Sequence, residues 1–236
     1  MKRVTVAVLT ITACSSLACG ALKSVTGSGG DTAAPQTVEV GPVEVGQKIT
    51  SKPASGISNL IRMGTSSDPA PPAPGISFAQ CAKILDGGPV KGPACITDTI
   101  ECGQTIVGHT RGGTNNFDTR WYERNFCTPG TTQHDGGDER VYRFRFPDDG
   151  KWRGWFTLDT PCADLDVFAI QYSGSGCPGP SDNVNECDAN VKGGTSQERA
   201  EAVSDGSWQD WLIVVEGKGD AEGAFSLSAQ CRQGLQ

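Results

Sequence analysis

The amino-acid sequence predicts an all-β protein whose folded part is an antiparallel β-sandwich preceded by a disordered tether. Three observations predict this class: a surplus of glycine and proline, ten cysteines, and a series of short apolar or alternating segments. The 236 residues include 31 Gly and 14 Pro. Glycine and proline together therefore make up a larger fraction of this chain than their average share of about 12% in proteins. Many turns therefore interrupt the chain, which disfavours a helix bundle. Ten cysteines are typical of an exported, disulfide-bonded protein.

Residues 1–18 are predicted to be a lipoprotein signal peptide. Two basic residues precede a short apolar stretch over 4–12. This stretch is much shorter than the roughly 20 apolar residues that are needed to span a membrane. A cysteine that follows alanine at the end of such a segment resembles the acylation site of bacterial lipoproteins. Cys19 is favoured because its acylation leaves an even number of other cysteines. Cys14 remains the alternative, and a secretory signal without lipid is the other interpretation.

Charge and the residue after the lipid site indicate where the protein resides. The formal net charge is −7, and removing the basic start of the signal makes it more negative. An acidic chain disfavours nucleic acid and anionic membrane as partners, so membrane attachment is expected through the N-terminal lipid. Gly20, rather than Asp, follows Cys19, which favours the outer membrane of the bacterial envelope. Its periplasmic and surface faces both stay open.

Composition divides the rest of the chain. Residues 19–77 are rich in Gly, Pro, Ser and Thr, with four prolines crowded between 69 and 74. Such a segment buries too little apolar surface to offset its ordering entropy, which predicts a disordered linker. Residues 78–100 form a lead-in that contains two cysteines. Residues 101–232 are the predicted sandwich.

Short strands separated by turn residues predict the sandwich. In order along the chain, the candidate strands are 105–107, 141–146, 152–158, 165–172, 211–215 and 225–229. The segment 141–146 alternates, with three aromatic residues expected on one face. The segment 211–215 is apolar throughout, which predicts a central strand that is covered on both faces. Phe225, Leu227 and Ala229 are expected to point inward.

Disulfides are expected for the eight cysteines after residue 80, which lack the Cys-x-x-Cys spacing of zinc sites. The expected pairs are Cys102–Cys231, Cys177–Cys187, Cys81–Cys95 and Cys127–Cys162. The first pair opens and closes the predicted sandwich, whose ends often lie close together. The second and third each bracket a turn-rich loop, and the fourth follows by elimination.

Acidic residues are the candidate metal ligands. Asp164 and Asp166 stand two apart, so on a strand both side chains project from one face. Together with Asp138 and Glu139 they offer the oxygen ligands that calcium prefers. Alternatively, these carboxylates accept hydrogen bonds from turn amides or pair with arginines, because the sequence has no EF-hand loop. Calcium is the one cofactor that the sequence indicates.

Four segments resemble the bacterial pre-peptidase C-terminal (PPC) type of domain. They are 102–110, 138–144, 163–168 and 211–227, and the likeness extends over roughly residues 100–231. The resemblance implies a jelly-roll-like sandwich that serves in secretion, localisation or substrate binding beside a peptidase. No peptidase precedes these segments in the sequence, so such a partner would be another chain.

No enzyme activity is expected, because motifs for nucleophilic or zinc catalysis are absent. The two histidines, His109 and His134, lie in polar turn-like segments and are expected to be exposed. The predicted function is a non-catalytic binding or accessory module of an envelope lipoprotein, with an unidentified protein or glycan ligand. Two alternatives remain: a subunit that regulates or helps secrete a separate peptidase, and a calcium-dependent carbohydrate-binding module.

Overall fold

A computed structural model describes residues 45–46, 48–50, 68–129, 132–207 and 209–234. The predicted signal peptide, both candidate lipid sites and most of the predicted linker lie outside these residues. The strands are β1 (Lys48–Thr50), β2 (Ile96–Thr99), β3 (Gln104–His109), β4 (Arg140–Arg145), β5 (Trp152–Asp159), β6 (Leu165–Gln171), β7 (Glu186–Asn190), β8 (Glu198–Ser204), β9 (Asp210–Gly217) and β10 (Ala224–Gln233). The helices are α1 (Phe78–Cys81) and α2 (Thr119–Arg124). Within the described residues, no helix is long and apolar enough to cross a membrane.

The strands form two five-stranded sheets with the connectivity of a jelly roll. The first sheet has the order β1-β3-β10-β5-β8, and the second has the order β2-β4-β9-β6-β7. Every strand pair is antiparallel except β2 with β4. Without β1 and β2, each sheet keeps four strands in the order of two interlocked Greek keys. The predicted all-β, jelly-roll-like sandwich is therefore confirmed.

Alternating side chains from the two sheets form the main core. Tyr142, Phe144 and Phe146 enter it from the second sheet, as their alternation predicts. Phe225, Leu227 and Ala229 enter it from the first sheet, which confirms their predicted direction. Phe144 packs edge-on against Phe156 of β5, with ring centroids 4.9 Å apart. Aromatic contacts of this kind tie the two layers together.

A second core covers the outer face of the second sheet. Strand β9 supplies Leu212 and Val214 to this outer core, while its alternate residues face the main core. The covering segment consists of residues 114–129 and 132–135 and includes α2. Its Tyr122 stacks on Phe168 of β6 with ring centroids 4.2 Å apart. Strand β9 is thus covered on both faces, as its continuous apolar sequence predicts.

The expected linker boundary at residue 77 is wrong, because ordered contacts to the first sheet begin earlier. Strand β1 pairs with β3, and residues 68–75 bond to the outer face of the first sheet. Arg199 donates to the carbonyl of Pro69 at 3.1 Å, and the Gly75 amide donates to Ser226 at 3.0 Å. Proline lacks an amide hydrogen, so side chains of the sheet, rather than a strand ladder, hold this segment.

All eight cysteines after residue 80 are paired, but three expected pairings are wrong. The structure forms Cys81–Cys162, Cys95–Cys177, Cys102–Cys231 and Cys127–Cys187. Short-loop pairing fails for Cys81–Cys95 and Cys177–Cys187 because folding brings distant parts of the chain together. Cys127–Cys162, which was expected by elimination, fails with them. The three bonds that replace them join residues 60 to 82 positions apart.

The Cys102–Cys231 bond matches the expectation, and strand register explains it. Strands β3 and β10 are antiparallel neighbours in which Thr105 pairs with Ser228. Continuing this register by three residues places Cys102 opposite Cys231, with Cα atoms 5.5 Å apart. This distance lies in the usual range for a disulfide.

Replacing Cys102 and Cys231 together by alanine is expected to lower the free energy of unfolding by about 2–5 kcal/mol. The bond closes a sequence separation of 129 residues, and long closed loops constrain the unfolded chain most. Denaturant titration of the oxidised proteins measures the loss. An unchanged midpoint would contradict the expectation. Thiol counting on the unfolded, unreduced wild type should find no free thiol among the eight cysteines after residue 80.

Candidate functional site

Three carboxylates lie in a row across neighbouring strands on the outer face of the second sheet. Asp166 of β6 is paired directly with Glu216 of β9. Arg140 of β4 is paired with Val215 of β9, so the preceding residue, Glu139, continues the row on the other side of Glu216. All three side chains are 0% exposed. Like charges opposite one another destabilise a sheet, so this row requires compensating partners.

The covering segment supplies hydrogen-bond donors to each carboxylate of the row. The hydroxyl of Tyr122 donates to Oε2 of Glu216. Nε2 of His134 lies 2.8 Å from Oδ2 of Asp166. The hydroxyl of Thr114 and the amide of Asn116 donate to Oε1 of Glu139, both at 2.6 Å. These bonds join the covering segment to the sheet through polar groups at one end of the outer core.

A fourth carboxylate, Glu198 of β8, reaches the row from the edge of the first sheet. Its Oε1 accepts a hydrogen bond from the backbone amide of Lys192, and its carboxyl group lies beside that of Asp166. Burial and, next, the negative charge of Asp166 raise the pKa of Glu198 to about 8. We infer that a proton on Glu198 is shared with Asp166, since two bare carboxylates have no donor between them.

Desolvation also raises the pKa values of Glu139 and Glu216, so these carboxyl groups stay protonated at pH values above those at which carboxylic acids usually ionise. Burial raises the pKa of Glu139 to about 7, although its hydrogen bonds from Thr114 and Asn116 act in the opposite direction. Burial also raises the pKa of Glu216 and, with the adjacent Glu216 charge, that of the Tyr122 hydroxyl. The row therefore carries less negative charge at neutral pH than its composition implies.

The row, Glu198, Tyr122 and His134 together form a buried polar cluster. Several of its buried atoms have no hydrogen-bond partner among the described residues. They are Nδ1 of His134, Oε2 of Glu139, Oδ1 of Asp166, Oε2 of Glu198 and Oε1 of Glu216. Protons on the carboxyl groups supply donors for some of these oxygens. Because the side chains of Tyr122, His134 and the four carboxylates are at most 1% exposed, the cluster bonds the covering segment to the sheets rather than facing a substrate.

The calcium site expected at Asp164, Asp166, Asp138 and Glu139 is not formed. Only Asp166 and Glu139 belong to the row. Asp138 instead accepts the amide hydrogen of Gly112 at 3.0 Å, since neighbouring residues at a strand start point in different directions. Asp164 precedes β6 and is partly buried outside the row. The described residues contain no group of three or more His, Cys, Asp or Glu side chains that could hold a metal ion.

Glu216, Tyr122 and His134 were not predicted as members of a site. The expectation of exposed histidines is wrong, because His134 is 1% and His109 is 6% exposed. Polar neighbours in the sequence gave His134 the pattern of a turn, whereas its ring packs edge-on against Tyr122 and Phe168. Glu216 could have been found from the sequence. It directly follows the most apolar strand segment, and side-chain alternation places it on the same face as Leu212 and Val214.

Comparison with protein-family models, with curated proteins and with solved structures finds no match for this chain.

We expect Glu139→Gln to flatten the dependence of stability on pH. The folded-state pKa of Glu139 is about 7, above its ordinary value of 4.5. The group therefore favours folding fully below pH 4.5, and this contribution is lost as the pH rises through 7. The amide variant does not titrate, so the wild type should lose on the order of 2–3 kcal/mol relative to it between pH 4.5 and 8.

Denaturant titrations at a series of pH values measure this difference. The control is Glu123→Gln, which removes an exposed carboxylate of α2 and should leave the pH profile of the wild type unchanged. Parallel profiles for the wild type and Glu139→Gln would contradict the assignment of Glu139 as a buried, proton-binding group.

Proposed function

We propose that the protein is a non-catalytic binding module of the bacterial cell envelope, attached to the outer membrane by a lipid on Cys19 or Cys14. The observation that carries this proposal is the set of four disulfides, which uses every cysteine after residue 80. Such bonds persist in oxidising compartments outside the cytoplasm. A fold with this much cross-linking is suited to the periplasm or the cell surface.

A cleft of about 720 Å³ beside the second sheet is the surface to which we assign ligand binding. Its volume lies within the range of about 300–1,000 Å³ that is usual for small-ligand sites. Charged and apolar side chains share its lining. They include Ile100, Glu101, Arg143, Arg145, Phe146 and Asp210. This mixture supports a protein or glycan ligand that combines apolar surface with hydrogen-bonding groups.

The two arginines of the cleft are held in place by neighbouring groups. Arg145 donates to Asp210 at 2.6 Å and to Asp148 at 3.0 Å. Arg143 donates to the carbonyl of Ser175 at 2.7 Å. The guanidinium of Arg145 stays about half-exposed, so it can donate further hydrogen bonds to a ligand. Positioned arginines of this kind are frequent in binding hot spots.

Arg145→Ala is expected to weaken binding of whichever ligand is found by about tenfold or more, the usual effect of losing a hot-spot side chain. The screen uses the soluble oxidised protein without its lipid on a glycan array and against envelope proteins. The matched control is Lys151→Ala, an exposed basic residue outside the cleft. Equal binding by the wild type and both variants would place the ligand elsewhere, and no ligand from either screen would contradict the proposed function.

The resemblance to PPC-type domains supports an alternative role, as an accessory of a separate secreted peptidase. The resembling segments coincide with strands β3, β4, β6, β9 and β10, and the jelly-roll order agrees with the fold that the resemblance implies. In this alternative the cleft holds a segment of the peptidase. Capture of a peptidase in the envelope screen distinguishes this role from glycan binding.

Lipid attachment predicts that Cys19→Ser abolishes acylation and releases the protein from the membrane fraction. Cys14→Ser is the matched control and should leave both unchanged, because Cys14 is then removed with the signal. Mass spectrometry of the mature N-terminus measures the acyl groups. Loss of acylation only in Cys14→Ser assigns the lipid to Cys14, whereas an unlipidated wild type contradicts membrane anchoring.

A further inference from the structure

Arg140 is a buried cation without an ion-pair partner among the described residues. It begins β4 and is 1% exposed. Its Nε donates to the carbonyl of His109 at 2.9 Å, and its Nη2 donates to the carbonyls of Gly88 and Arg111 at 2.6 and 2.5 Å. Carbonyl oxygens satisfy these N–H groups but do not neutralise the charge. A buried charge is strongly unfavourable unless a counter-ion accompanies it.

The loops around Arg140 are shaped to enclose its guanidinium. A Cβ atom at Gly87 would lie 2.4 Å from Nη2 of Arg140 and 2.3 Å from the carbonyl oxygen of His109. Only glycine permits so close an approach of the backbone at this position. The guanidinium is thus fixed along two of its three nitrogens, and Nη1 is left with no hydrogen-bond partner.

A cavity of about 80 Å³ lies against this arginine, and its lining holds a second unpaired donor. The hydroxyl of Thr97 is buried and has no partner in the described part of the chain. Thr97 sits between Ile96 and Asp98, where the pairing of β2 with β4 shifts register. A bulge of this kind redirects a side chain out of the regular pleat. Arg140 and Thr97 both line the cavity, which is several times larger than the roughly 10–15 Å³ that one water needs.

Two further basic side chains line the same cavity. His109 accepts the amide hydrogen of Arg111 through Nδ1 at 3.0 Å, which leaves the ring proton on Nε2 as a donor. Lys91 lies at the exposed rim and makes no ion pair or hydrogen bond with the described residues. The cavity is thus lined by the buried cation of Arg140, the exposed cation of Lys91 and neutral hydrogen-bond donors.

The nearby carboxylates are already engaged with other groups. Asp98, which lines the cavity, pairs with Lys48 at 3.3 Å. Asp86 accepts the amide hydrogen of Gly88 at 2.5 Å, and Asp138 is held by a backbone amide as well. They moderate the potential around Arg140 from outside but are not hydrogen-bonded to its guanidinium.

We propose that this cavity is a binding site for a small oxyanion, in which Nη1 of Arg140 and the hydroxyl of Thr97 donate to its oxygens and Lys91 closes the rim. The two guanidinium edges that would bind a carboxylate bidentately are occupied by carbonyls, so the anion is held by single donors from several directions. A carboxylate group and a tetrahedral anion such as phosphate or sulfate share this chemistry. The site shares no lining residue with the proposed ligand cleft, and it is independent of that function.

The test is isothermal titration of the full mature, oxidised protein with sodium phosphate, sulfate and acetate, each compared with chloride at equal ionic strength. We expect saturable binding of at least one oxyanion over the millimolar range. Thr97→Val keeps the shape of the side chain and removes the hydroxyl, and it should weaken that binding by about tenfold. Lys91→Met should weaken it by about two- to fivefold, as for an exposed charge. Lys151→Met is the control and should bind like the wild type.

Each outcome decides the proposal. Binding of acetate alone identifies a carboxylate site, as for an acidic side chain or chain terminus of a partner, whereas binding of phosphate or sulfate identifies a site for a tetrahedral anion. No saturable binding beyond the chloride control overturns the proposal. Wild-type affinity in both Thr97→Val and Lys91→Met overturns it too. Lys91→Met changes only an exposed side chain, so its result stands even if Thr97→Val fails to fold.

Discussion

Strand β9 presents apolar side chains on both faces, and this requires the molecule to have a layer outside its sandwich. Val214 would face water if the second sheet had the usual solvated outer face of an antiparallel sheet. The covering segment removes that face from solvent. It has only one short helix, α2, and an isolated helix of this length is not stable in water. Its order therefore depends on what fixes it to the sheet.

Two kinds of interaction provide this attachment. Cys127, three residues beyond the end of α2, is bonded to Cys187 of β7, which fixes the covering segment covalently. On either side of Cys127 in the chain, Tyr122 and His134 bond to the carboxylates of the row. The first attachment depends on an oxidising environment, and the second depends on protons held by buried acids. The layer over the second sheet thus responds to both redox conditions and pH.

The sequence predicts well those features that depend on alternation along one strand. The inward faces of β4 and β10 and the double burial of β9 follow from side-chain period alone. Strands β7 and β8 were not predicted, because Glu186–Asn190 contains little apolar surface and Glu198–Ser204 combines charged residues with small ones. Their assignment as strands depends on pairing with β6 and β5, which a local pattern does not contain.

Contacts between distant parts of the chain were predicted only where the topology of the fold alone determines them. The first and last strands of a jelly roll are neighbours, so Cys102–Cys231 follows from topology. The other three disulfides join parts of the chain that are 60 to 82 residues apart and that only the tertiary fold brings together, so neither local spacing nor elimination found them. The carboxylate row has the same origin: Glu139, Asp166 and Glu216 become neighbours only through the registers of three strands. In the sequence alone, carboxylates that bind calcium cannot be distinguished from buried carboxylates that share protons.

The Cys102–Cys231 bond also determines how the protein transmits mechanical force. Tension applied immediately before Cys102 and after Cys231 passes directly across the disulfide. The 128 residues between them lie on a covalent ring that this path bypasses. Cys81–Cys162 and Cys95–Cys177 tie the segment before Cys102 to this ring as well. A pull along the chain therefore extends the residues before Cys81 and after Cys231 without shearing β3 from β10. Under reducing conditions the same pull would act on the hydrogen bonds of that strand pair.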